Sequence, residues 1–391
     1  VVANIKDKAV IVGVGNTEFS KNSGVSELNL ASRAVKAACD DAGLHPGAID
    51  GMATFTMDTT DEIELARALG CGELTFWGRA HYGGGAATGT LHQAVMAVAT
   101  GMAETVAVYR ALNGRSGHRF SDGVSGQITT GDAIHWGWYM PYGLLTPASW
   151  VAMFTRRWMH ITGVTKDALY EVAKATRDYG AGNPAAFFYG KTFDRAEYDE
   201  QRTIADPLQL YDCCQESDGG SAVIVTTPER ARDLRQTGVS VRGVAQCAAE
   251  DQEQMTSFYR EEFAGIPEME AAAKNCYEMS GLTPDDIDAA VVYDAFSSIV
   301  LWQIEAWGFC GFGESGDFVK DGALKPDGRL PANTHGGQLS EAYIHGVNGI
   351  VEATRLVRGQ SVNQPPRDID HVLVTSGVGI PTGGALLGRM V

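Results

Sequence analysis

The sequence predicts an α/β protein of two βαβαβ halves, with sheets covered by helices and a large loop domain inserted between the halves. Three observations lead there. A segment repeats at a constant offset, apolar strand-like runs end in glycine turns ahead of amphipathic helices, and one long aromatic stretch matches neither half.

The repeat pairs AVKAACDDAGLHPGAIDGMATF, residues 34 to 55, with AAKNCYEMSGLTPDDIDAAVVY, residues 272 to 293. The offset of 238 matches Ala34 with Ala272, Lys36 with Lys274, Gly43-Leu44 with Gly281-Leu282, Pro46 with Pro284, and Ile49-Asp50 with Ile287-Asp288. In each copy an amphipathic helix ends at a C-cap glycine, Gly43 or Gly281. A proline turn follows, and Ile-Asp leads into an apolar strand. The second strand, AAVVY, is apolar throughout, as a buried parallel strand should be, and Tyr293 closes it.

The repeat extends both ways. AVIVGVGNTEF at 9 to 19 and VSVRGVAQCA at 239 to 248 read as strands before the first helices. GGGAATGTLHQAVMAVATG at 83 to 101 and EAYIHGVNGIVEATRLVRG at 341 to 359 read as Gly-rich approaches to second helices, with Tyr343 starting the latter. The strands ETVAVY at 104 to 109 and HVLVTSG at 371 to 377 follow. The halves are therefore residues 1–113 with about 221–237, and residues 238–391. The insertion is 114–220, ending at an SDGG turn, and its aromatics, such as HWGWYMPYG, make it a candidate lid.

The net charge of -17 disfavours nucleic acid, and no concentrated basic patch stands out for a phosphate-bearing ligand. Seven cysteines, an odd number with no CxxC pair, argue against a disulfide framework or zinc ribbon and fit a cytoplasmic protein. Cys213-Cys214 reads as a pair of buried structural thiols, and no His/Cys spacing suggests a metal site. The N-terminus is not read as a signal peptide, and no run of eighteen apolar residues suggests a membrane span. Gly83 to Gly85 lack the surrounding pattern of a nucleotide loop; they instead permit close backbone approach before a helix.

With Asn183-Pro184, Ser217 to Gly220, YDAF at 293 to 296, NTHGG at 333 to 337 and YIHG at 343 to 346, the duplicated core resembles the thiolase superfamily. The closest likeness is to its sterol-carrier and lipid-transfer branch. The resemblance implies the thiolase fold, a layered α-β-α-β-α core that forms a homodimer. A thiolase needs a nucleophilic cysteine at the start of the first central helix, where the helix end lowers its pKa. Here that place reads Ala86-Ala87-Thr88-Gly89, and the loop carrying the second family cysteine reads Ser376-Gly377-Val378-Gly379. Cysteine acyl-enzyme chemistry is thereby excluded.

The family's Asn or His at two further positions is replaced by Tyr293 and Tyr343, which the resemblance aims into one pocket. Two phenols can donate hydrogen bonds to an oxyanion and exchange protons. The pattern resembles the actinobacterial lipid-transfer-protein aldolases of steroid side-chain degradation. That implies retro-aldol cleavage of a steroid β-hydroxyacyl-CoA to a 17-keto steroid and a short acyl-CoA such as propionyl-CoA. It implies Tyr293 and Tyr343 as catalytic residues, with Asp294, His335 and His345 supporting and Gly85, Ala86 and Gly377 near the thioester. It also implies no cofactor beyond the substrate's coenzyme A, and a small OB-fold, zinc-ribbon partner completing a heterotetramer. The alternative is a non-catalytic acyl-CoA or sterol carrier, or a scaffolding subunit of a lipid-degrading complex.

Overall fold

The computed structural model describes residues 5–81, 83–117, 119–122, 137–253, 257–378 and 382–390. The first half runs β1 (Val10–Asn16), α1 (Glu27–Ala42), β2 (Gly51–Phe55), α2 (Glu62–Leu69), β3 (Phe76–Ala80), α3 (Ala86–Ala99) and β4 (Thr105–Asn113). The insertion contributes α4 (Pro147–Thr162) and α5 (Lys166–Gly182), and β5 (Asp218–Thr226) returns to the first half. The second half runs β6 (Val239–Cys247), α6 (Pro267–Ser280), β7 (Ala289–Val291), α7 (Ser297–Ala306), α8 (Val347–Arg358), β8 (His371–Ser376) and β9 (Thr382–Arg389).

The strands join in one sheet ordered β3-β2-β4-β5-β1-β6-β9-β8-β7. Read outward from its middle, each half repeats the same order, so β6, β9, β8 and β7 answer β1, β5, β4 and β2. Only β3 lacks a counterpart. The halves meet edge to edge at β1 and β6, through Val10 with Ser240 and Ile11 with Val239. Each half thus continues into the other, where the sequence suggested separate sheets. The first-half strands are also not all parallel: β5 runs antiparallel to both β4 and β1.

Helices α3 and α8 pack against strands of both halves and against each other, while α1 covers the first half and α6 the second from outside. These are the five layers of the expected thiolase fold. Between these two helices Ala87, Leu91 and Val95 of α3 share an apolar core with Ile350, Val351 and Leu356 of α8.

The repeat has physical content at three points. The C-cap glycines Gly43 and Gly281 both take φ +75°, a left-handed turn that costs glycine no Cβ clash. Asp50 accepts hydrogen bonds from the N–H groups of Glu104 (2.9 Å) and Thr105 (2.7 Å), pinning the start of β4. Its repeat partner Asp288 accepts from Asp370 (2.8 Å) and His371 (2.9 Å), pinning the start of β8. A Cβ on Gly13 of β1 would lie 2.1 Å from the carbonyl oxygen of Ala38, and one on Gly243 of β6 would lie 2.6 Å from that of Cys276, the repeat partner of Ala38. Each outer helix therefore rests its backbone directly on its strand.

Three local expectations change. The SDGG segment is not a turn: Asp218 already begins β5 and pairs with Asn113. Strand β7 stops at Val291, so Tyr293 lies two residues beyond it. Helix α8 begins at Val347, capped by Gly346, so Tyr343 precedes it in a loop that follows one wide turn, Gly337–Glu341. The insertion shares its core with the second half, since Val151, Phe154 and Trp158 of α4 pack with Ile299, Val300 and Trp302 of α7. His135, Trp136 and Gly379 of the quoted motifs lie outside the described residues.

Candidate active site

The two tyrosines meet. Their phenol oxygens are 3.1 Å apart. Tyr293 is buried and fixed at its backbone: its N–H donates to Thr375 Oγ1 (2.9 Å) and its carbonyl accepts from Gln303 Nε2 (2.7 Å). Its ring occupies space that glycines leave open. A Cβ on Gly84 would lie 1.9 Å from Tyr293 Oη, and one on Gly346 would lie 3.1 Å from Cδ2. The phenol thus abuts the N-terminal ends of α3 and α8. Tyr343 is half-buried, and its N–H donates to Ser217 Oγ at 3.4 Å.

The thioester-side residues assemble at the same helix end. Gly85 caps α3 and Ala86 opens it. Ser376, one residue before Gly377, donates from Oγ to the Gly85 carbonyl (2.9 Å) and accepts the Thr88 N–H (3.1 Å). The place of the missing cysteine is a buried alanine at the helix end that Tyr293 abuts through Gly84. No other thiol replaces it. Cys213 and Cys214 are half-buried rather than buried, and burial pushes both thiols up, so they stay protonated. The Cys214 N–H donates to the Ala295 carbonyl (2.9 Å).

Burial raises both phenols above the ordinary tyrosine range, with the neighbouring phenol adding to the rise at Tyr293. Both are therefore neutral at physiological pH. The surroundings favour charge on Tyr343 over charge on Tyr293. Tyr293 donates to it, and the Arg110 guanidinium opposes the rise.

The supporting residues divide. His345 belongs to the site: its ring lies edge-on to that of Tyr343 at 4.8 Å and stacks on Phe55 at 5.8 Å. Its Nδ1 accepts from Arg110 Nε (3.1 Å), and Arg110 is held by a buried ion pair to Asp58 (3.0 Å). Burial holds this imidazole well below its usual pKa, so it is neutral and carries its proton on Nε2.

Asp294 does not reach the phenols. Its carboxylate accepts from the N–H groups of Gln338 (2.7 Å) and Leu339 (3.3 Å), bracing the wide turn before Tyr343, and burial pushes it up to about 7. His335 faces Glu341 rather than the phenols, with Nε2 3.8 Å from Oε2, and burial lowers it to about 3. Glu341 in turn accepts from Asn183 Nδ2 (3.1 Å) and Asn348 Nδ2 (2.9 Å), which explains the Asn-Pro motif.

Burial pushes Glu341 up to about 8. A carboxyl whose folded pKa is raised stabilises the fold fully below its unfolded value, and that contribution is lost as pH rises through the folded value. Glu341→Gln removes the ionisation. Its melting temperature is expected to gain on the wild type as pH goes from 5 to 8, as thermal unfolding at the two pH values would show. A constant difference would refute the assignment.

Sequence reasoning missed Arg110 and the Thr375–Gln303 pair, and it read Gly84 as allowing close backbone approach before the helix without foreseeing that Tyr293 fills the space. Arg110 left a signal: it is a lone charge inside the otherwise apolar strand β4. Thr375 left none, since its importance lies in what it touches. Among the described residues, no cluster of three His, Cys, Asp or Glu side chains could hold a metal ion. No helix described is long and apolar enough to cross a membrane.

The thiolase C-terminal domain-like family model matches residues 249–386. The chain is 55% identical to the steroid side-chain-cleaving aldolase of Thermomonospora curvata, covering 97% of each chain. It is 51% identical to the 17-hydroxy-3-oxo-4-pregnene-20-carboxyl-CoA lyase of Mycobacterium tuberculosis, covering 98% of this chain and 100% of that one. A solved structure, the Ltp2-ChsH2(DUF35) aldolase, matches with a TM-score of 0.95 at 53% identity over 99% of both chains. Near-complete coverage at this identity, with the pattern of the replaced cysteine and the paired phenols, places the chain in the thiolase superfamily, in the family of the steroid side-chain-cleaving aldolases.

Proposed function

We propose that this chain cleaves a steroid β-hydroxyacyl-CoA by a retro-aldol reaction, giving a 17-keto steroid and a short acyl-CoA such as propionyl-CoA. The observation that carries this reading is the pair of phenol oxygens 3.1 Å apart at the helix end where the nucleophilic cysteine is missing. The high identity to relatives named for this cleavage supports it.

The reaction moves one proton. The C–C bond electrons become a thioester enolate as the hydroxyl oxygen becomes the ketone. The hydroxyl proton must leave, and the α-carbon of the enolate must gain one. Two touching neutral phenols can pass that proton as a relay, because a hydroxyl accepts and donates at once. Neither needs to rest as a phenolate, which fits their raised pKa values. Tyr343 receives the hydroxyl proton, since Arg110 and the Tyr293 hydroxyl support charge there. Tyr293, beside Gly84 and the start of α3, protonates the enolate carbon. The thioester oxygen lies against Gly85, Ala86 and Gly377, where helix-end N–H groups favour developing negative charge. His345, held by Arg110, fixes the ring of Tyr343. The chemistry needs no cofactor besides the substrate's coenzyme A.

The chain works with a partner protein, as the complex matched at 53% identity supports. We assign a homodimeric core and a small OB-fold, zinc-ribbon partner, in the cytoplasm. Incubating the assembled proteins with an acyl-CoA bearing a tertiary D-ring hydroxyl should release ketone and short acyl-CoA in equal amounts. Substrate that binds but stays intact would instead make the chain a carrier.

A further inference from the structure

The loop that carries Tyr343 is irregular. His345 takes φ +52° and Gly346 φ +88°, left-handed backbone that persists where its surroundings hold it. The bond from the Tyr343 N–H to Ser217, at 3.4 Å, is long and holds it weakly.

Gln338, in the wide turn before Tyr343, joins this loop to the one that carries Tyr293. It is 2% exposed, and each of its four polar groups is engaged. Its N–H donates to Asp294 Oδ1 (2.7 Å), and Asp294 directly follows Tyr293. Its carbonyl accepts the Gln215 N–H (3.1 Å). Its side-chain Oε1 accepts the N–H of Ile344 (3.2 Å), the residue after Tyr343. Its Nε2 donates to Asn348 Oδ1 (3.2 Å), and Asn348 Nδ2 donates to the carbonyl of Ala342 (3.1 Å), the residue before Tyr343. Tyr343 is thus bracketed on both sides, and one hydrogen bond ties the bracket to the neighbour of Tyr293. A primary amide suits this place. It accepts at one atom and donates at the other, whereas a carboxylate only accepts and an ammonium only donates. Burial requires that these groups find their partners inside the protein.

We propose that Gln338 is a positioning residue that sets the contact between the Tyr293 and Tyr343 hydroxyls, with Asn348 extending its hold to Ala342. The inference rests on the proposed function for the reaction those hydroxyls serve. In the assembled enzyme, Gln338→Met keeps the length of the side chain and removes both polar atoms of the amide. Its kcat should fall about ten- to hundredfold, as for a displacement of about 1 Å in a positioned group, while KM changes by less than about twofold. In the Tyr343→Phe background the same substitution should cost at most about twofold, because the hydroxyl it positions is already gone. Equal fold-losses in the two backgrounds, or no loss in the wild type, would overturn the proposal. Gln338→Glu keeps the acceptor for Ile344 and should lose less. The same comparison of backgrounds decides with Gln338→Glu if Gln338→Met does not fold.

Thermal unfolding gives a reading that needs no turnover. The melting temperatures of Tyr293→Phe, Tyr343→Phe and the double variant report how strongly the two hydroxyls are coupled. The coupling should be present in the wild type and vanish in the Gln338→Met background. If the wild type cleaves no β-hydroxyacyl-CoA, the proposed function fails, yet a coupling lost in Gln338→Met still upholds the positioning role. A coupling that survives the substitution, or is absent from the wild type, overturns it.

Discussion

Tyr343→Phe should lower kcat for ketone release by about 10²–10⁴-fold while the protein stays folded. The substitution removes one hydroxyl and little volume from a half-buried ring, so only the proton relay is broken. The lost hydrogen bond to Tyr293 costs about 0.5–1.5 kcal/mol of stability, too little to unfold a domain of this size. Tyr293→Phe should cost about 10²–10³-fold, as the loss of a preorganised donor does. The double variant should be hardly worse than Tyr343→Phe, because the hydroxyls act as one unit. Single-turnover assays of ketone release, with circular dichroism as the fold control, check this. Full activity in both single variants would sink the relay.

The second large effect comes from a residue with no side chain. Gly84→Ala places a Cβ 1.9 Å from Tyr293 Oη and 2.4 Å from Cζ. The ring cannot yield easily, because its backbone is tied to Thr375 and Gln303 and Gly346 lies against its other edge. The phenol must shift, and a displacement of about 1 Å in a positioned group costs on the order of 10²-fold in rate. Overpacking of this kind costs about 1–3 kcal/mol of stability. Gly83→Ala is the control. Its Cβ would meet only Met57 Sδ at 3.3 Å and His345 Nε2 at 3.9 Å, so activity should fall far less. Steady-state kinetics and melting temperatures of the two variants give the comparison, and equal losses would show that Gly84 acts as a general backbone hinge.

The pairing of these effects explains how the site can exist without a cysteine. In Ala86 the helix end keeps its geometry but offers no nucleophile. Gly84, two residues before it, opens space, and a phenol fills that space. The helix end that would favour a thiolate now abuts a tyrosine ring and, in the proposed reaction, favours charge on a thioester oxygen. Acid–base chemistry replaces covalent chemistry on the same scaffold.

Much of this was determined by the sequence alone. The duplicated halves, the glycine C-caps and the Ile-Asp pairs are local patterns. Their physics (apolar periodicity, left-handed glycine, a short carboxylate meeting nearby N–H groups) acts within a few residues or across one strand pair. The missing cysteine at Ala86 and the two substituted tyrosines were equally legible, because they depend on residue identity at a motif position. The tertiary structure decided what depends on distant segments. It set the phenols 3.1 Å apart, although 50 residues separate them in the chain. It sent Asp294 and His335 to brace or face the turn before Tyr343, and brought Arg110, from the other half, to His345. It also decided the state of the phenols, both of which burial raises. Desolvation depends on what packs around a side chain, and no periodicity along the chain records it.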